Sequence, residues 1–121
     1  MIKINTNIVQ PRFVLRLRGI TAFGYRTDNQ GFMVLQQSES PLNTLPSIPR
    51  WVLDLRNQLL HSNILTLENN KYLFSKDYEF NSPSAAASVV AAASRNGRTD
   101  WMTETGVTLR DFEQSRGDFT P

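Results

Sequence analysis

One stretch of this chain dictates its own conformation more firmly than any other. It begins Asn81-Ser82-Pro83-Ser84 and continues through Ala85, Ala86, Ala87, Ser88, Val89, Val90, Ala91, Ala92 and Ala93. Ser82 suits a helix N-cap, because its hydroxyl can accept one of the N–H groups that a first turn leaves unpaired. Pro83 fits the first helical position, where its missing N–H would have no partner anyway. Alanine loses no side-chain entropy in a helix, and its small side chain lets another backbone approach closely. Asn96-Gly97 reads as the left-handed stop. The spacing predicts a helix over residues 83–93.

Upstream the period changes from 3.6 to 2. Phe13, Leu15 and Leu17 alternate with Val14, Arg16 and Arg18, which is the pattern of a half-buried strand with the arginines on its solvent face. Gly19 ends it. Residues 21–26 and 31–36 follow as further strands around the turn residues 28–31, so residues 13–37 read as an antiparallel meander. Residues 38–46, with Pro41 and Pro46, read as a loop. Ser47, followed by Pro49, opens a helix in which Val52, Leu55, Leu59 and Leu60 fall on one side. It ends near His61, with Asn63 as the left-handed stop. Residues 65–67 and 71–74 flank a turn at 68–70 and predict a hairpin. Residues 77–80 form a short extended piece, and residues 99–102 a strand that buries Trp101. Thr108 caps a short helix with Asp111 three residues on, and Leu109 and Phe112 give it apolar contacts.

The expected fold class is therefore α+β: antiparallel meander and hairpins, a central helix, an alanine-rich helix and a short C-terminal helix. At 121 residues the chain has the length of one domain. Residues 13–114 are read as that domain, 1–12 as an N-terminal extension and 115–121 as a tail.

Composition narrows the chemistry. With no cysteine there is no disulfide, thiol nucleophile or thiolate metal site, and with one histidine, His61, any imidazole base would have to be that residue. Gly19 and Gly24 have the spacing of a phosphate-binding loop, but Tyr25 and Arg26 stand where Lys and Ser/Thr are needed. The acidic spots at Glu68 and at Asp77 with Glu79 lack a third ligand, so no metal or other cofactor is expected. No apolar run reaches the roughly 18 residues of a membrane span, and the first residues lack the features of a signal peptide. The expected compartment is the cytoplasm, with no membrane partner.

Charge is uneven. Net charge is +2, yet the first 27 residues carry Lys3, Arg12, Arg16, Arg18 and Arg26 and no acid, and a second basic spot lies at Arg95-Asn96-Gly97-Arg98. Ten of the thirteen basic residues are arginine, whose planar fork suits phosphate and guanine edges. This predicts a phosphate-facing surface of Arg16, Arg18, Arg26, Arg95 and Arg98, with Asn96 reading a base edge. Trp101 is a core residue or a stacking platform. Ser82 and Ser84, at a helix N-terminus, are cap residues that can also face an anion.

Residues 80–109 carry a resemblance. Phe80, Ser82-Pro83-Ser84-Ala85-Ala86, Val89-Val90, Asn96-Gly97, Trp101, Gly106 and Thr108-Leu109 resemble the signature of the DUF4357 domain. Upstream, Gly19-Ile20, Gly31-Phe32, Leu59-Leu60 and Leu73-Phe74 fit as well, so the resemblance spans about residues 13–113. Such domains often follow GIY-YIG-type nucleases and accompany restriction–modification proteins, and they are similar to the RAMA domain associated with adenine methylases. The resemblance implies a DNA-associated module whose partners are DNA or RNA and a separately encoded nuclease or methyltransferase. It does not bring nuclease activity, because Gly19-Ile20-Thr21 and Phe23-Gly24-Tyr25 have the wrong spacing for that motif. Two positions depart from the family pattern. Ala92 stands where members usually have glycine, and Met102 where they have a basic or polar residue.

Three readings are open on these grounds. The first is a non-catalytic nucleic-acid-binding module. The second is a protein-interaction or assembly module, homo-oligomeric or with a partner, that presents the alanine-rich helix. The third is an enzyme with carboxylates clustered around Asp77 and Glu79 or Asp100 and Glu104.

Overall fold

The computed structural model describes residues 11–28 and 30–117. Lys3, most of the expected N-terminal extension, Asn29 of the expected turn and the last four residues of the expected tail lie outside them.

Strands β1 (Phe13–Leu17) and β2 (Ile20–Arg26) form a hairpin closed by Arg18 and Gly19, both at positive φ (50° and 78°). A two-residue turn of that hand matches the twist of the strands it joins. β3 (Phe32–Val34) pairs antiparallel with β2, which completes the expected meander. β4 (Glu39–Pro41) follows inside the stretch expected to be loop. Neither its proline nor its short length marks a strand; it forms because β6 lies alongside, pairing Ser40 with Tyr72. Helix α1 (Arg50–His61) comes next. Ser47 does not cap it. Pro49 is the N-cap residue without a side-chain bond, and its carbonyl accepts from Val52 and Leu53. Asn63 stops α1 in the expected left-handed conformation, at φ 61°.

β5 (Leu65–Glu68) and β6 (Lys71–Phe74) form the expected hairpin, turned by Asn69 and Asn70 at positive φ. β7 (Tyr78–Phe80) then returns to the first half and pairs with β3. Two antiparallel sheets result, ordered β1-β2-β3-β7 and β4-β6-β5. The expected α+β class is the one observed.

Helix α2 (Pro83–Ala91) is capped as expected, with the Ser82 hydroxyl accepting from Ala85 N–H at 3.0 Å. It ends two residues early. Ala92 adopts a left-handed conformation (φ 58°, ψ 42°), and Ala93 N–H bonds back to Ser88 O. A Cβ in that conformation costs about 1–2 kcal/mol, a strain that a glycine would not carry at this position. Asn96-Gly97 does not end α2. It opens α3 (Gly97–Asp100), with Asn96 Oδ1 accepting from Arg98 N–H, in place of the strand expected over 99–102. The close approach of Gly97 to the Pro83 carbonyl leaves no room for a Cβ and sets this geometry. Beyond α3, Met102 makes single bridges to Val14 and Thr108. Thr108 caps α4 (Leu109–Gly117) by accepting from Asp111 N–H, and the helix runs three residues into the expected tail.

The core forms where α2 meets the first sheet. Ala86, Ala87, Val89 and Val90 pack with Phe32, Val34, Phe80 and Val52, and α2 is buried along most of its length. A face made of alanine and valine lets helix and sheet backbones approach closely. The small-residue surface of residues 83–93 is therefore consumed internally and is not presented to a partner, as the assembly reading had expected.

Candidate nucleic-acid interface

The sequence-expected site residues do not form one surface. Ser82 and Ser84 are committed to the backbone: Ser82 caps α2, and the Ser84 hydroxyl accepts from Gly97 N–H at 2.9 Å. Trp101 is fully buried. Its ring stacks on Phe32 with centroids 4.4 Å apart, and its Nε1–H donates to Pro83 O at 3.1 Å. It offers no face to a base, which corrects the stacking role expected for it. Asn96 is exposed, with its Oδ1 engaged by Arg98 N–H.

The arginines separate into three groups. Arg18 does not stand free on the solvent face. Its guanidinium donates to Ala91 O at 2.6 Å and to Asn43 O at 3.1 Å, fastening the last turn of α2 to the loop after β4. Arg16 and Arg95 share a groove with Asp100 and Glu104. There Arg95 grips Asp100 through two bonds, of 2.7 and 3.0 Å, and the Asp100 hydrogen bond raises the Arg95 pKa above its ordinary value. Its fork is already filled, and Glu104 in the same groove is paired with Arg12 at 3.2 Å.

The third group is different. Arg26 Nε donates to Glu113 at 2.7 Å, and Arg98 Nη2 lies 4.0 Å from the other oxygen of the same carboxylate. Arg116 lines the same hollow, with its guanidinium 5.6 Å from the Phe112 ring. The hollow holds about 170 Å³ and has Phe13, Leu109 and Phe112 at its base. Around Glu113, two arginines meet one carboxylate, and a third, Arg116, lines the hollow beside them. The sequence pattern singles out Arg26 and Arg98 but not Arg116, because it reads residues 115–121 as a tail. Extending the helix of Thr108 by one turn would have placed Arg116 next to Phe112 and Glu113 at spacings of four and three.

Arg56 was also missed. It is 2% exposed, on α1, in a position the helical pattern leaves unremarked. Its Nη1 donates to Ser40 Oγ and to Val89 O, and its Nη2 to Pro41 O. Desolvation lowers its pKa.

Of the acidic candidates, Asp100 and Glu104 share the groove with Arg16 and Arg95. Asp77 accepts from Gln36 N–H at 2.8 Å, and among the described residues no three His, Cys, Asp or Glu side chains are placed to share a metal ion. Among the same residues no helix is long and apolar enough to cross a membrane.

No curated protein and no solved structure matches this chain. One family model does, described as a domain of unknown function, DUF4357, and it matches residues 13–113. That match takes in both sheets, α1, α2, α3 and the start of α4 through Glu113, so the chain belongs to the DUF4357 family.

Proposed function

We propose that this domain is a non-catalytic nucleic-acid-binding module that meets phosphate at the Glu113 hollow. The observation that carries the reading is the meeting of Arg26 and Arg98 at the Glu113 carboxylate, with Arg116 lining the same hollow. Glu113 holds Arg26 in place, and Arg98 and Arg116 supply the surplus positive charge. Guanidinium forks beside an apolar floor suit a phosphodiester with its sugar, a contact that positions a strand without reading its sequence. The buried alanine helix removes the surface on which the assembly reading rested. The domain would act in the cytoplasm within a restriction–modification or nuclease system, with the chemistry supplied by a separately encoded nuclease or methyltransferase.

The test is a titration with labelled duplex and single-stranded DNA, adenine-methylated and unmethylated, across a salt series. Affinity for duplex is expected to fall with salt. An Arg98→Ala/Arg116→Ala double variant should flatten the log–log slope by about 1.8, from about 0.9 per phosphate contact. Arg50→Ala, on α1, should leave it unchanged. Absence of binding at low salt by the folded protein would overturn the reading.

A further inference from the structure

The far end of β2 from Arg26 borders a second hollow with a chemistry of its own. The β1–β2 turn, the loop after β4 and the β5–β6 turn meet there, and residues 18–20, 41–43 and 70–71 line a space of about 570 Å³. That exceeds the 170 Å³ of the Glu113 hollow and falls in the size range of small-molecule sites. Ile20 and Arg26 stand at opposite ends of β2, roughly 20 Å apart at the rise of a strand, so the two hollows are separate.

Charge is unbalanced at this end. Arg18 donates to the carbonyls of Ala91 and Asn43, and Arg56, behind Pro41, donates to Ser40, Pro41 and Val89. Among the described residues neither has a carboxylate within ion-pair reach. Lys71 does, with its Nζ 3.3 Å from Glu39. The C-terminus of α2 sets about half a negative charge against the two guanidinium groups. Burial lowers the Arg56 pKa, and the like charge of Arg18 lowers it further. A surplus of positive charge therefore lies against the hollow. Arg18 is exposed there and keeps N–H groups beyond the two in use. The rest of the lining narrows the kind of anion. Asn43 and Asn70 are exposed and carry amides of the type that pairs with a base edge. Leu42, 39% exposed, offers an apolar face. A bare inorganic anion would use neither.

We propose that this hollow binds a nucleoside monophosphate, with its phosphate between Arg18 and Lys71, its base against Leu42, and the base edge met by the Asn43 and Asn70 amides. Phosphate oxygens take charge-assisted hydrogen bonds from guanidinium and ammonium, which are the strong class of such bonds. The bound anion also relieves the repulsion between Arg18 and Arg56, so the ligand stabilises the fold as well as occupying the hollow. The site is independent of the Glu113 hollow, and neither reading rests on the other.

The probes are adenosine 5′-monophosphate, adenosine and inorganic phosphate, titrated at low salt into the isotope-labelled full chain and followed by NMR. The nucleotide is expected to saturate, to shift the amides of residues 18–20, 42–43 and 70–71, and to leave those of Arg98, Glu113 and Arg116 in place. It should bind at least about tenfold more tightly than either adenosine or phosphate alone. Leu42→Glu sets a like charge at the rim and should weaken nucleotide binding at least about tenfold. That position is exposed, so an unchanged melting temperature verifies folding. Lys71→Gln should weaken binding about tenfold as well. Arg18 is left in place because it caps α2. The proposal fails if the nucleotide does not bind at millimolar concentration, or if inorganic phosphate binds as tightly, which would make the hollow a general anion site. It fails also if the shifts fall at the Glu113 hollow instead, an outcome that leaves the nucleic-acid reading standing. Displacement of the nucleotide by an equimolar DNA duplex would make the hollow part of the nucleic-acid surface and would overturn it too.

Discussion

Arginine does two opposite things at the two ends of this domain. At the C-terminus of α2, Arg56 and Arg18 reach in from α1 and from the β1–β2 turn and donate to the carbonyls of Val89 and Ala91. Ser40 donates to Val90 O beside them. The last acceptors of a helix are thereby satisfied by side chains from three other elements, and α2, which has no basic residue in its own last turn, needs no further turn. At α4, by contrast, Arg26 and Arg98 meet the half-buried Glu113 carboxylate, with Arg116 lining the hollow beside it. The chemistry is the same and the neighbourhood decides the role. Buried among carbonyls, guanidinium donors act as a helix cap. Near the surface, they meet a carboxylate on α4.

The comparison can be broken by removing each kind of arginine in turn. Arg56→Leu should have the largest effect. It strands the buried acceptors at Pro41 and Val89, a loss of about 3 kcal/mol, read as a fall of roughly 10 °C in melting temperature. Arg56→Lys should recover little of this, since one ammonium cannot bridge acceptors that the planar fork spans. The salt slope of DNA binding should not move in either variant that remains folded.

Arg18→Ala separates the two roles at a residue that sequence reasoning assigned to phosphate. A stability loss of about 1 kcal/mol in a denaturant titration, with unchanged DNA affinity, would place it with the caps. A lost phosphate contact with unchanged stability would place it with the ligand-facing group. Ala92→Gly probes the same helix end from the backbone side. Relief of the left-handed conformation is offset in part by glycine's greater unfolded-state entropy, giving a gain of about 0.5 kcal/mol in thermal unfolding. The smallest stability change, within about 0.5 kcal/mol, is expected for Arg98→Ala/Arg116→Ala. That pair should act on the salt slope and leave the unfolding midpoint in place.

Much of the fold was legible because its signals are local. The strand from Phe13, the turn at Asn69-Asn70, the Ser82-Pro83 helix start and the Thr108 cap each act over a few residues and appear where expected, although Val14, on the arginine face of that strand, is buried. The misreadings share a cause. β4 is a strand only because β6 pairs with it, and the Asn96-Gly97 pair caps the next helix because Gly97 fits against Pro83. The candidate site was half legible: Arg26 and Arg98 stood out by charge, but Arg116 and the shared Glu113 did not.

What the sequence determined by itself is where β1, α2 and α4 begin, where α1 stops, and the closeness of approach that an alanine helix permits, since these follow from backbone sterics and short-range hydrogen bonds. The tertiary structure alone decided which arginines cap a helix and which meet a carboxylate. The partners are Arg18 with Ala91, Arg26 with Glu113 and Arg56 with Val89, separated by 73, 87 and 33 residues. A guanidinium has no preference between a carbonyl and a carboxylate until packing brings one of them within reach.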